Sequence, residues 1–132
     1  MKHHIIPIAL LTCLLAVSCN TEKRLYETGM AYHQANQADH ERILELKASG
    51  SPAAWPEIFE RYCSIKGRSD EMSHFPSNVK RSIHYIPIDV DNDLTLARNK
   101  AEAYLMARIS QLLDGEQPDP DEADRRIRDL ER

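Results

Sequence analysis

The chain has 132 residues, which is enough for one small domain. It carries 17 Lys and Arg against 21 Asp and Glu, a net charge of −4, and this argues against nucleic-acid binding because a polyanion partner needs a basic surplus. Aromatic residues make up only 6% and glycines number 4, which disfavours an aromatic β-core and a glycine-rich nucleotide cradle.

The first segment has the charge and hydropathy pattern of a signal peptide. Lys2 supplies a positive charge, and the 13 residues at positions 5–17 carry none. A helix of that length spans about 20 Å, which is short of the roughly 30 Å hydrocarbon core of a bilayer. Pro7 weakens a membrane-spanning helix further. The pattern therefore predicts a secretory signal segment and not a permanent transmembrane helix.

The end of this segment reads Leu-Ala-Val-Ser-Cys at residues 15–19, and it resembles the bacterial lipobox that lipoprotein signal peptidase cleaves. Ala16 stands where the motif usually has Leu, a variation common in lipoproteins of Bacteroidota-like organisms. Ser18 is an accepted small residue. The resemblance implies cleavage between Ser18 and Cys19 and fatty acyl chains, including palmitate, on Cys19, and two or more chains anchor a protein stably. The alternative is an ordinary signal peptide with a cysteine near its cleavage point.

This interpretation divides the chain into three parts. Residues 1–18 are the signal peptide, residues 19–21 a lipidated tether, and residues 22–132 a single helical domain. The retention signal of inner-membrane lipoproteins in enteric bacteria is an Asp after the cysteine, and this chain has Asn20. By resemblance, Asn20 favours the outer membrane of a bacterial envelope, with the domain in the periplasm or at the cell surface.

The three cysteines then have different fates. Cys13 is discarded with the signal peptide, and Cys19 carries the lipid. Cys63 is left without a partner for an intramolecular disulfide. We expect it to be a buried apolar residue.

Hydrophobic spacing predicts about five helices after residue 21. They are expected over residues 22–35, 39–48, 55–67, 94–113 and 120–130, with a short turn of helix at 70–75. Asn36 and Gln37 are interpreted as a break, and Asp39 as the N-cap of the second helix. Gly50 and Gly67 are expected to end the second and third helices.

The fourth helix is the longest, with Asp93 as its expected N-cap. Its apolar stripe consists of Leu94, Ala97, Ala101, Tyr104, Leu105, Ile109 and Leu112. Residues 82–90 before it are β-branched, but Pro87 opposes a central strand. We interpret them as an extended connector whose isoleucines pack on the helices, with an edge strand as the alternative. A six-residue loop at 114–119 predicts that the last two helices form an antiparallel hairpin.

The expected fold is therefore all-α, built of antiparallel helical hairpins joined by one extended connector. The stretch from Trp55 to Tyr62 resembles the start of a tetratricopeptide repeat, W-x₂-L-G-x₂-Y, with Phe59 where the motif has Gly. A matching L-x₃-G-x₂-Y begins at Leu25, 30 residues earlier and not 34. The alternative is an irregular bundle with ordinary amphipathic stripes. Both interpretations predict packed helix pairs.

No pattern predicts catalysis, a metal site or a cofactor. The acidic run at 89–93 resembles a calcium loop, but Leu94 and Lys100 occupy the positions where an EF-hand needs Gly and Glu. His33 and His40 lie about 10 Å apart on one helix, too far for one metal unless the chain breaks between them.

Two functions are therefore expected. The first is a membrane-anchored, non-enzymatic envelope lipoprotein that acts as a structural or protein-interaction module. Its partner, an unidentified envelope protein, is expected to contact the connector and Trp55, Phe59, Tyr62 and Tyr85. The alternative is a small envelope enzyme or a ligand or metal carrier that uses His33, His40 or Cys63.

Overall fold

A computed structural model describes the backbone of residues 5–114, the side chains of residues 20–114, and residues 125, 128 and 129. Within this part of the chain the fold is all-helical and contains no strand, so the predicted all-α class is confirmed. The α-helices are α1 (Ile5–Ala48), α2 (Trp55–Ser73), α3 (Ser77–Ser82) and α4 (Asp91–Asp114), and a 3₁₀ turn covers Pro52–Ala54.

Helix α1 is one continuous helix where the sequence predicted two. It passes through Asn36 and Gln37 without a break. Asn36 is buried, and its side-chain oxygen accepts a hydrogen bond of 2.7 Å from Arg68 of α2. The helix ends where predicted, because Gly50 adopts a left-handed φ of +65° and its N–H donates to the carbonyl of Lys47.

Helix α2 begins with Pro56 in its first turn, as predicted, but it does not stop at Gly67. It continues to Ser73 and absorbs part of the turn predicted at residues 70–75. Ile65 and Met72 are both buried on its inner face, on either side of the glycine. Their burial outweighs the weak helix propensity of one glycine. The short helix α3, which follows Pro76, was not predicted.

Helix α4 confirms the predicted apolar stripe. Its buried members are Ala97, Ala101, Leu105 and Ile109. The helix begins at Asp91, two residues before the predicted cap Asp93. The carboxylate of Asp89 accepts a hydrogen bond of 3.1 Å from the N–H of Asp91, so Asp89 satisfies the first N–H of the helix.

Helix α2 lies between α1 and α4 and runs antiparallel to both. Toward α1, Glu57 near the start of α2 pairs with Arg42, whereas Glu71 near its end accepts a hydrogen bond from Tyr32. Toward α4, Lys66 lies 2.9 Å from the carboxylate at the start of that helix, and Trp55 lies under Lys100, nine residues further along.

The buried side chains form two clusters. One joins α1, α2, the 3₁₀ turn and α4 and consists of Ile43, Ala54, Ile58, Tyr62, Ile65, Val90 and Ala97. The other joins α1, the end of α2 and α3 and consists of Met72, Phe75, Val79 and Ile83, with Leu25, Met30, Tyr32 and Tyr85 packed against it. The second cluster fixes α3 against the part of α1 that follows residue 21.

The connector between α3 and α4 leaves two of its isoleucines exposed. Ile83 and Val90 are buried, but Ile86 is 77% exposed and Ile88 is 42% exposed. The expectation that its isoleucines all pack on the helices is therefore wrong for these two. The middle of the connector is held by hydrogen bonds to Ser69 of α2, which binds the N–H of Ile88 and, through its carbonyl, the hydroxyl of Tyr85.

The predicted last helix, and the loop at 114–119 that would join it to α4 in a hairpin, fall almost entirely outside the described residues. Arg125, Arg128 and Asp129 are helical. Between residues 5 and 114 the chain forms four α-helices, and two of the predicted helices are one.

Candidate functional site

The segment after Cys19 enters the body of the molecule as helix. Residues 19–21, predicted as a tether, lie within α1. One turn beyond Cys19, the carboxylate of Glu22 accepts a hydrogen bond of 2.9 Å from Asn78 of α3. Among the described residues, no helix is long and apolar enough to cross a membrane.

An open groove of about 330 Å³ lies at this end of the molecule, between the first described side chains of α1 and helix α3. It is lined by Glu22, Lys23, Tyr26, Asn78, Val79 and Ser82. Four basic residues lie on these two helices near the groove in sequence: Lys23, which lines it, and Arg24 on α1, and Lys80 and Arg81 on α3. The Lys80 ammonium donates a hydrogen bond of 2.9 Å to the carbonyl of Ser73. We call these four residues the basal surface. Sequence reasoning missed it because α3 was not predicted.

A polar network ties α1 to α2 at the middle of the hairpin. Asp39 accepts a hydrogen bond of 2.7 Å from Arg61 and is also paired with Arg68. Glu57 is bonded to Arg61 and to Arg42, and these bonds hold the pKa of Glu57 below its ordinary value of 4.5. The predicted N-cap role of Asp39 is wrong, since its carboxylate serves this interhelical contact.

The four aromatic residues predicted to meet a partner contribute mainly to packing. Tyr62 is 4% exposed and accepts a hydrogen bond of 2.9 Å from Lys47, so it presents no side-chain surface. Trp55 and Phe59 are half-buried against the first core cluster, and Tyr85 packs on the second.

The exposed sides of these aromatic rings are partly covered by cations of α4. Lys100 lies 5.0 Å from the ring centre of Trp55, and Arg98 lies 5.8 Å from that of Phe59. A cation above the face of an aromatic ring is attracted by the ring's quadrupole, so these contacts are favourable. Within the predicted surface, the apolar side chains that stand free are therefore Ile86 and Ile88 of the connector.

The histidines do not converge on a common site. His33 and His40 are both exposed on the unbroken helix α1, about 10 Å apart along its axis. No group of three His, Cys, Asp or Glu side chains among the described residues is placed to hold a metal ion. The chain break that would have brought the two histidines together is absent from this helix.

The prediction that Cys63 is buried is wrong, because the residue is exposed on α2. It occupies a position beside Tyr62, which takes the inward place on the helix. Neighbouring side chains nevertheless remove water from the sulfur, and this desolvation raises the pKa of the Cys63 thiol above its ordinary value. A raised pKa leaves less thiolate at neutral pH, which is the reverse of what a nucleophilic cysteine needs.

The comparisons with known proteins give no match. No protein-family model matches this chain, and neither a curated protein nor a solved structure does. The lipobox and tetratricopeptide resemblances therefore rest on the residues quoted for them, and both stay predictions.

Proposed function

We propose that this protein is a lipid-anchored lipoprotein of the bacterial cell envelope whose helical body is a non-enzymatic structural or protein-interaction module. The observation that carries the proposal is the placement of Cys19. It follows an uncharged stretch of 13 residues preceded by Lys2, and it has Ser18 before it. A thiol at that point lies at the membrane surface when the signal segment is inserted, where diacylglycerol transfer takes place.

The geometry of α1 determines where such an anchor would join the body. Helix α1 continues from Cys19 into the body, and Glu22 already contacts Asn78 of α3. With residues 1–18 removed by the proposed cleavage, an acyl group on Cys19 would attach to the first residue of a rigid element. Asn20, in place of an Asp, favours the outer membrane, with the body in the periplasm or at the cell surface.

The anchor is tested by replacing single cysteines in the native host. Cys19→Ser is expected to lose the acyl mass and to move the protein out of the membrane fraction, because the proposed acyl chains are attached through that sulfur. Cys13→Ser and Cys63→Ser are matched controls that keep both properties. If Cys19→Ser stayed in the membrane fraction to the same extent as these controls, the proposed anchor would be wrong.

The module's contact surface is assigned to the connector. Ile86 is 77% exposed, and Ile88 beside it is 42% exposed on a segment fixed to α2 by Ser69. Exposed aliphatic side chains on a fixed backbone give a partner apolar area at a small cost in ordering. We propose this pair, with Trp55 and Phe59 as secondary contacts, as the surface for an envelope protein.

Chemical cross-linking in intact cells tests this surface. One partner protein is expected to cross-link to the native chain and to be lost on substitution of Ile86 and Ile88 by Ala. Leu96→Ala is the matched control, since Leu96 is 48% exposed on α4. Equal loss with the control, or retention of the partner by the double variant, would remove the connector from the proposal.

A further inference from the structure

We propose that the basal surface, Lys23, Arg24, Lys80 and Arg81, lies against anionic phospholipid headgroups and orients the body on the membrane. The inference rests on the proposed acylation of Cys19. It adds to that anchor a second, electrostatic contact made by the folded body itself.

Distance along α1 brings these charges close to the bilayer. At 1.5 Å per residue, Lys23 and Arg24 lie about 6–8 Å along the helix axis from Cys19. Asn78 of α3 is bonded to Glu22, so α3 begins at the same level. A Debye length at physiological ionic strength is about 8 Å, which means that charges at this level are felt by the headgroups.

The sign of the charge at this end opposes that of the whole chain. Residues 20–29 and 77–84 contain four of the chain's 17 basic side chains but two of its 21 acidic ones. Glu22 is engaged with Asn78, and Glu27 lies 3.9 Å from Lys23. The net charge of the chain is −4, so a uniform distribution would have repelled an anionic surface.

The other groups at this end suit a bilayer interface. Tyr26 is 42% exposed beside the groove, and an aromatic ring with a polar hydroxyl is favoured at the level of the headgroups. Arg81 is exposed on α3. Continuity with the attachment point of the acyl chains is what selects a lipid surface here over a protein partner.

The test measures how close α3 lies to the headgroups. Acylated protein with Cys63→Ser and Ser82→Cys is purified from the native host, labelled with a fluorophore at position 82 and placed in vesicles that contain headgroup spin-labelled lipid. Quenching is expected to be roughly twofold stronger in vesicles that contain phosphatidylglycerol than in vesicles of phosphatidylcholine alone. A label at Ala53→Cys, near the far end of α1, is expected to show no such difference.

Charge variants identify the groups responsible. Arg24→Gln with Arg81→Gln is expected to reduce quenching in phosphatidylglycerol vesicles to the phosphatidylcholine level, and high salt is expected to do the same. Lys100→Gln with Arg108→Gln, the matched control on α4, is expected to leave quenching unchanged. An acylated chain that quenches equally in both vesicle types overturns this inference and leaves the anchor intact. A chain without acyl mass overturns the proposed function itself.

Discussion

Gly67 lies at a regular helical position of α2, where the wider range of backbone conformations open to glycine is not required. It lies on the exposed side of α2, and a Cβ built there meets no atom within 4 Å. We expect Gly67→Ala to raise the free energy of unfolding by about 1 kcal/mol, because alanine is the better helix former. Chemical denaturation monitored by circular dichroism measures this.

Gly50 is the matched control for that experiment. It also has no neighbour within 4 Å, but its φ of +65° disfavours any residue with a Cβ. Gly50→Ala is expected to lower the free energy of unfolding by about 1 kcal/mol. Changes of the same sign at both positions would contradict the assigned helix end.

Gly29 is constrained by close packing instead. A Cβ at this position of α1 would lie 2.7 Å from the terminal methyl of Ile83 and 3.4 Å from the ring of Phe75. Gly29→Leu is therefore expected to lower the free energy of unfolding by about 1–3 kcal/mol through overpacking, although leucine favours helix. Gly67→Leu, which adds the same side chain where space is open, is expected to be neutral or stabilising. Equal destabilisation of the two variants in urea denaturation would argue against the close contact.

The α1–α2 hairpin shows what local sequence rules miss. Asn36 and Asp39 were interpreted as a break and a cap because such residues favour non-helical backbone. Their partners are Arg61 and Arg68, which lie 22–32 residues further along the chain. A contact over that distance leaves no local pattern, so its existence was not predictable from spacing.

The interhelical network predicts a specific loss of stability. Asp39 is mostly buried between two arginines, and Asp39→Ala leaves both guanidinium groups without their carboxylate. We expect a loss of about 1.5–3 kcal/mol in the free energy of unfolding, the range for hydrogen bonds to charged groups. Glu41→Ala, on the exposed side of the same helix, is the control and is expected to change little. If the unfolding curve of Asp39→Ala matched that of the wild-type protein, the network would contribute nothing to the free energy of unfolding.

Glu57 gives the same hairpin a dependence on pH. Its pKa in the folded state is lowered by hydrogen bonds from Arg42 and Arg61, whereas the unfolded chain has the ordinary value of 4.5. Between these two values the unfolded state binds more protons, so stability falls as the pH falls below about 4.5. Glu57→Gln is expected to be less stable near pH 7 and to show a shallower decline of melting temperature toward acid. If the melting temperatures of the two proteins fell by the same amount as the pH was lowered, Glu57 would not contribute to the pH dependence of stability.

Elements with a regular period were predictable, and elements defined by tertiary contact were not. The i, i+4 stripe of α4 fixes its buried face, since Ala97 and Ala101 recur at helical spacing. The short helix α3 has one buried residue, Val79, and its position depends on packing against α1. The exposure of Ile86 likewise depends on where the connector crosses α2.

At the scale of the whole molecule, the candidate anchor and the candidate surfaces differ in how far the sequence predicts them. The resemblance to a lipobox is carried by the contiguous residues 15–19 after an uncharged stretch, so acylation is an expectation that the sequence alone provides. The basal surface combines α1 with α3 across more than 50 residues of chain, and it emerges only from the fold. Tyr62 illustrates the same limit, because its helical row is evident from the sequence but the packing decides which ring is buried.

The intact mass of the protein isolated from the membranes of its native host shows whether Cys19 is the acylated N-terminus. We expect a chain that begins at Cys19 and carries the added mass of its acyl groups, with residues 1–18 absent. A chain that retains Met1, or one trimmed at another residue and without acyl mass, would contradict it.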